Sequence, residues 1–490
     1  MHEPGPLSAS GEVILYRSNA REFATFDVVA LGTDGSEPEI WLEGGGQVSP
    51  VALHPDGDSA LVIRLNGNMD ADLLLVQSDG KSVNLTPHDR EQWVLDATFD
   101  KTGSGVYLLT NFDREFVALV HLNLATGERT TVVESEWDVE AFSLAPDGES
   151  AVVSINKNGA SKPFMLDFAT GKRTAIAVPP GVADKFSWSP DGANVAFGFS
   201  TSEAPAAIVT SDRSGHCTVV ASEHGERPTT VSPEAITYTT FDGLEIPAFF
   251  FRPEGDGPFP AVIEIHGGPE HQRHLDYNVR SGPAIQYLVA LGYAVLALNV
   301  RGSTGYGKSY SHLDDKGLRL DSVTDVVYAG QWLKAREDIV SDKVAVFGAS
   351  YGGFMTLASL AFHPEHWAAG IELVGIGNFV TFLERTSAWR RKHREAEYGS
   401  LEEDREMLER ISPVHKIDQV VAPLLIFHGR EDPRVPVYES EQMAEALQAR
   451  GVDVGLTIFE DEGHSITKRK NILAAFAEMG AFLDRVLATD

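Results

Sequence analysis

Cysteine is almost missing: Cys217 is the only one in 490 residues. A lone thiol excludes an internal disulfide and any metal site built from clustered cysteines. Positive charge is also scarce. Forty Lys and Arg stand against 71 Asp and Glu, a net charge of −31. Phosphates would be repelled, which excludes nucleic acid and anionic membrane as partners. The acidity is spread along the chain, as on a solvated surface, and is not gathered in a tail. Long apolar runs are absent as well. YAVLALNV, from Tyr293 to Val300, is among the strongest and is far too short to span a bilayer. The opening MHEPGPLSAS lacks the basic and apolar regions of a signal peptide. These absences predict a cytoplasmic protein with no metal and no cofactor. With 43% hydrophobic and 23% charged residues, a chain of this length suits two or three globular domains.

What is present first is repetition. HPDGDSALVI from His54, DKTGSGVYLL from Asp100, APDGESAVVS from Ala145 and SPDGANVAFG from Ser189 are alike. Pro55, Lys101, Pro146 and Pro190 mark steps of 46, 45 and 44 residues. In each copy a turn precedes an alternating apolar strand, and a second strand then ends in another turn, as in NLATGER (Asn123 to Arg129). Pro-Asp-Gly supplies a fixed φ followed by a position open to positive φ. Apolar residues at period two supply half-buried strands. A period near 45 with several strands per unit is the signature of a β-propeller blade. A sandwich is the alternative, but its strands do not usually recur as whole units. An earlier piece, Ile14 to Trp41, resembles the second half of a further blade. The expectation is four blades and part of a fifth, ending near Ser222.

Around Glu226-Arg227-Pro228 the rhythm changes, and two domains are expected, 1–228 and 229–490. A hairpin turning at Asp242-Gly243 opens the second. Apolar strand candidates then alternate with helical patterns. The strands are PAVIEIH (Pro260 to His266), YAVLALNV, KVAVFG (Lys343 to Gly348), AAGIELV (Ala368 to Val374), PLLIFHG (Pro423 to Gly429) and GLTIFE (Gly455 to Glu460). Such alternation implies an α/β domain whose mostly parallel, doubly wound sheet is covered on both faces.

Within this domain, Gly348-Ala349-Ser350-Tyr351-Gly352 follows a strand candidate and opens a helix candidate. G-x-S-x-G alone is a weak signal. Between strand and helix it is the nucleophile elbow of an α/β hydrolase, presenting Ser350 at the carboxyl ends of the strands. A serine hydroxyl needs an adjacent base, and in this fold the order is Ser, then Asp or Glu, then His. PLLIFHG runs into Arg430-Glu431-Asp432-Pro433, where Asp432 is the preferred acid and Glu431 its local rival. GLTIFE runs into Asp461-Glu462-Gly463-His464, which makes His464 the base. His464 would take the serine proton while Asp432 fixes its tautomer. The Tyr351 N–H would face the developing oxyanion. His266-Gly267-Gly268-Pro269, after the first long strand of the domain, would supply a second donor.

HGGPE, NVRGSTGYGKSY (Asn299 to Tyr310), GASYGGF, HGREDPRVP and EGH, in that order, resemble the prolyl oligopeptidase family of serine peptidases. The acylaminoacyl-peptidase-like branch is the nearest. The likeness covers Ile236 to Leu487 strongly, and the PDG blades fit the family's N-terminal propeller more loosely. The resemblance implies an α/β-hydrolase domain capped by a propeller and acting on short peptides through an acyl-enzyme. By motif match, Ser350, Asp432 and His464 are the triad, and Tyr351 and Gly268 supply the oxyanion N–H groups. Arg434 matches an arginine that contacts bound peptide, with a structural salt bridge as the alternative. Relatives commonly carry seven blades, whereas the residues before the hydrolase domain suffice for about five. The propeller is therefore expected to be small, open or incomplete, and a homo-oligomer is one way to cover its edges. No paired-glutamate clamp for a free amino terminus is legible, which weakens a dipeptidyl-peptidase reading. A carboxylesterase using the same triad is the alternative activity. A propeller scaffold with an inactive hydrolase domain is a third reading, and the intact triad argues against it.

Overall fold

A computed structural model of the chain describes residues 1–222, 229–277 and 282–488. Residues 2–221 form five four-stranded sheets, each built from consecutive strands in sequence order. The sheets span residues 2–42, 47–84, 94–133, 139–175 and 182–221 and are taken here as blades 1 to 5. The Pro-Asp-Gly segments do form turns: Gly57 and Gly148 have φ of 83° and 71°. In the same turns the Asp56 and Asp147 carboxylates accept from the N–H groups of Asp58 and Glu149, each at 2.9 Å. The partial fifth blade of the sequence analysis is a complete one. Its first strand, His2–Leu7, reads HEPGPL, and no apolar alternation announces it.

Successive blades are held together by apolar clusters. Val28 and Trp41 of blade 1 meet Val62 of blade 2. Leu73 meets Leu108 between blades 2 and 3, Leu119 meets Val153 between 3 and 4, and Val152 meets Phe197 between 4 and 5. Among the described residues no such cluster joins blade 5 to blade 1.

The expected change of rhythm is real, although Glu226-Arg227-Pro228 lie outside the described residues. Beyond them one eight-stranded sheet is built from β1 (Glu234–Thr239), β2 (Glu245–Phe251), β3 (Phe259–Ile265), β4 (Ala294–Leu298), β5 (Ile339–Ala349), β6 (Ala369–Leu373), β7 (Leu424–Gly429) and β8 (Val454–Phe459). Their order is β1-β2-β4-β3-β5-β6-β7-β8, with β1, β2 and β4 paired antiparallel and the remaining pairs parallel. All six strand candidates appear within one to four residues of their expected bounds. Helices α1 (Gly282–Ala290), α2 (Arg319–Lys334), α3 (Tyr351–Phe362), α4 (Phe379–Arg385), α5 (Ala388–Tyr398), α6 (Arg405–Ile411), α7 (Tyr438–Ala449) and α8 (Arg469–Val486) complete the domain. Alternation along β3 shows how the two faces fill. Ala261, Ile263 and Ile265 pack with Val326 of α2 and Phe354 of α3, while Val262 packs with Leu288 of α1 and Leu483 of α8. The result is an α/β-hydrolase domain preceded by a five-bladed, propeller-like array. Among the described residues no helix is long and apolar enough to cross a membrane.

Candidate active site

β5 ends at Ala349 and α3 begins at Tyr351, so Ser350 alone makes the turn. Its φ of 58° and ψ of −116° are strained for a residue with a Cβ. The surrounding packing enforces that conformation. Ser350 N donates to Leu373 O of β6 at 2.8 Å. A side chain at Gly348 would collide with the Gly352 carbonyl, and one at Gly352 with Ile265 O of β3. Glycines flank the serine because sheet and helix meet there with no room for a Cβ.

His464, in the loop after β8, meets Ser350 and Asp432 together. Its Nδ1 lies 2.7 Å from Asp432 Oδ2 and its Nε2 lies 2.9 Å from Ser350 Oγ. A carboxylate only accepts, so Nδ1 carries the proton and Nε2 is left to accept from the serine. Burial disfavours the charged imidazolium, and Arg434 and Arg390 add to that. The Asp432 charge opposes them, and the net effect holds His464 below its ordinary value of 6.5. A neutral base near neutral pH is the state that general-base work requires.

Asp432 follows β7, where burial alone would raise its pKa. Hydrogen bonds from His428 and His464, with the Arg434 N–H, outweigh burial and hold the carboxyl far below the usual range. Its Oδ1 accepts from Arg434 N at 2.8 Å and Val435 N at 3.1 Å. The Glu431 side chain, the rival acid, is exposed. Gly268, at φ 132°, sits in the 267–268 turn that runs beside the elbow. A Cβ on Gly267 would lie 3.3 Å from Ser350 Cβ. Tyr351 N is the first amide of α3, a position with no intrahelical acceptor. Arg434 is exposed two residues past Asp432, and its carbonyl accepts from Thr386 Oγ1 at 2.8 Å. Among the described residues no group of three or more His, Cys, Asp or Glu side chains is placed to hold a metal ion.

Two features escaped the sequence analysis. The first is His428, buried inside β7. Its Nε2 lies 2.9 Å from Val435 O and 3.5 Å from Asp432 Oδ2, the oxygen that His464 also uses. Its Nδ1 lies 2.7 Å from Ser440 Oγ, which donates to Glu372 Oε1 at 3.0 Å. With Glu372 ionised, the Ser440 hydroxyl donates onward and accepts from the ring, an arrangement that puts protons on both ring nitrogens. Burial opposes that charge, but Asp432, Glu372 and the Val435 carbonyl outweigh it and raise the His428 pKa. A second histidine therefore lies behind the acid, paired on both sides.

The second is a buried polar chain leading from the elbow to the propeller. Tyr351 OH donates to Asp314 Oδ2 at 2.8 Å, and Arg319 bridges Asp314 at 3.0 Å and Glu397 of α5 at 2.9 Å. Asn68 of blade 2 donates to Glu397 at 2.5 Å and to Glu270 of the HGGPE segment. Arg394 donates to Asn68 Oδ1 at 2.8 Å and pairs with both glutamates. Glu270 and Glu397 lie far apart in the chain, so no local pattern pairs them, and their oxygens are already bonded within the protein.

Residues 280–490 match the prolyl oligopeptidase family. That range contains Ser350, Asp432 and His464 and stops short of HGGPE. Dipeptidyl aminopeptidase BIII of Pseudoxanthomonas mexicana is 35% identical over 239 residues, 48% of this chain and 34% of that one. The acylamino-acid-releasing enzyme of Rattus norvegicus is 29% identical over 261 residues, 52% of this chain and again 34% of the relative. This chain thus aligns with about a third of the length of those curated relatives. Among solved structures, puromycin hydrolase superposes with a TM-score of 0.89 at 21% identity, covering 100% of this chain and 78% of that one. At that identity the likeness is one of fold, and it extends through the blades.

Proposed function

Because the hydrolase half of this chain belongs to the prolyl oligopeptidase family, we propose that the protein is a serine peptidase cleaving short peptides, of oligopeptidase or acylaminoacyl-peptidase type. The observation that supports this most is the simultaneous bonding of His464 to Ser350 and Asp432 at 2.9 and 2.7 Å. In the proposed division, residues 1–228 are the propeller and residues 229–490 the catalytic domain.

Ser350 Oγ attacks the scissile carbonyl as His464 Nε2 takes its proton. Asp432 holds the ring and stabilises the imidazolium that forms. The oxyanion of the tetrahedral intermediate accepts from the N–H groups of Tyr351 and Gly268. Collapse breaks the C–N bond, His464 passes its proton to the leaving amine, and an ester on Ser350 remains. Water, deprotonated by His464, attacks that ester. Proton return to Ser350 releases the acid and restores the enzyme.

A fluorophosphonate probe should label wild type and leave Ser350→Ala unlabelled. Turnover of peptide anilides against simple p-nitrophenyl esters then separates peptidase from carboxylesterase. Activity confined to esters removes the peptidase reading, and a folded wild type that resists the probe removes both.

A further inference from the structure

We propose that Arg390 receives a carboxylate of the substrate, so that this site favours peptides bearing one close to the scissile bond. The inference deepens the serine-hydrolase reading and rests on it. It begins with a contrast inside α5, AWRRKHREAEY, an unusually basic stretch in a chain of net charge −31. Arg391 pairs with Glu395, and Arg394 pairs with Glu270 and Glu397. Arg390 makes no such pair among the described residues. Its Nε is shut off from solvent without a hydrogen-bond partner. Its guanidinium lies 5.3 Å from the centroid of the Trp389 ring, which shields it further.

Position turns this orphan into a candidate receptor. Just before α5, Ser387 Oγ donates to Pro433 O at 2.8 Å and Thr386 Oγ1 donates to Arg434 O at 2.8 Å. The start of the helix is therefore stitched to the loop that carries Asp432, and Arg390 follows three residues after Ser387. From the other side, Gln47 of blade 2 donates to Trp389 O at 3.0 Å, and His393 contacts Leu65 O at 3.1 Å. Arg390 is held between the propeller and the reacting groups. Burial, then Arg394 and Arg434 beside it, pulls its pKa down to about 10, and its charge in turn helps keep His464 neutral. Asp432 is close but already bonded to His464 and two backbone amides. A guanidinium only donates, and this one is half-buried with its Nε dry and no ion-pair partner among the described residues, so the group that would best complete this site is an anion. A planar carboxylate suits it best. Peptides offer one in an acidic side chain or a free carboxyl terminus.

The test uses full-length protein whose active sites are counted by fluorophosphonate labelling. One arm compares Glu with Gln at each of the two positions before the scissile bond and the one after it. The other compares free-acid with amidated carboxyl termini. In one arm, wild type should favour the carboxylate by roughly 10- to 100-fold in kcat/KM, the range of a charge-assisted pair. Arg390→Gln should collapse that ratio to about one, and Arg390→Lys should retain part of it. Equal rates for both members of every pair in wild type overturn the proposal. So does an Arg390→Gln enzyme that loses rate on both members alike with the ratio preserved. If labelled wild type cleaves esters and no peptide, the peptidase reading has failed. The same pairs are then compared as competitors that slow labelling, with the same expected ratio deciding.

Discussion

The two halves of this molecule bury strands differently. β3 to β7 of the hydrolase sheet are covered by helices on both faces, and Ser350, Asp432 and His464 stand beyond the carboxyl ends of β5, β7 and β8. In the blades each sheet is sealed mainly by its neighbour, and polar side chains such as Gln47, Asp72 and Asn156 are buried within the strands themselves. The propeller reaches the site region through a few polar handles. Asn68, Gln47 and Leu65 O hold α5, while Asn156 bonds Gln272 at 2.6 Å and Asn158 bonds Tyr306 at 2.7 Å. One half thus holds the candidate site, and the other contacts a single helix and two loops beside it.

Substitutions across the two halves should show a steep gradient. Ser350→Ala should cost roughly 10⁴- to 10⁶-fold in kcat with the melting temperature unchanged. Asp432→Asn should cost about 10⁴-fold by favouring the wrong His464 tautomer, read as kcat at constant labelling stoichiometry. His428→Asn should cost roughly 10- to 100-fold by loosening the acid, and it carries a pH signature. In wild type the depressed His464 keeps the base neutral, so the acid limb of kcat/KM should fall below 6.5, the ordinary histidine value. Removing the His428 charge leaves Asp432 more available to His464, which raises the pKa of that base. The limb should therefore move up in pH, and an unmoved limb would show that His428 is neutral.

Crossing into the propeller, Asn68→Ala leaves Glu397 and Glu270 short of a donor. It should lower stability by about 1–3 kcal/mol and kcat/KM by a few fold, measured by denaturant unfolding and peptide turnover. A loss as large as that of Asp432→Asn would erase the contrast between the halves. At the far end, Gly57→Ala places a Cβ at φ 83° with nothing within 4 Å of it. Only backbone strain of about 1–2 kcal/mol is expected, with turnover intact.

Legibility in the sequence followed the same divide. Ser350, Asp432 and His464 could be found because each stands directly after an apolar run in a loop of distinct composition. The elbow could be read because glycine has a steric reason to be at 348 and 352. The first blade strand was hidden because HEPGPL has no apolar alternation, and α5 because its face toward the protein is largely charged. His428 was taken as one more residue of a buried strand, since a period of two does not distinguish a paired polar side chain from an apolar one. The Glu270 and Glu397 pairing has no local signature at all.

Apolar period, turn glycines and the chain order of serine, acid and histidine were settled by the amino-acid sequence alone. They arise from sterics and burial acting over a few consecutive residues. Which charges became neighbours was decided only by the folded arrangement. Electrostatic energy depends on separation through space, and His428 behind Asp432, or an Arg390 with no ion pair among the described residues, exists only once distant segments are packed together.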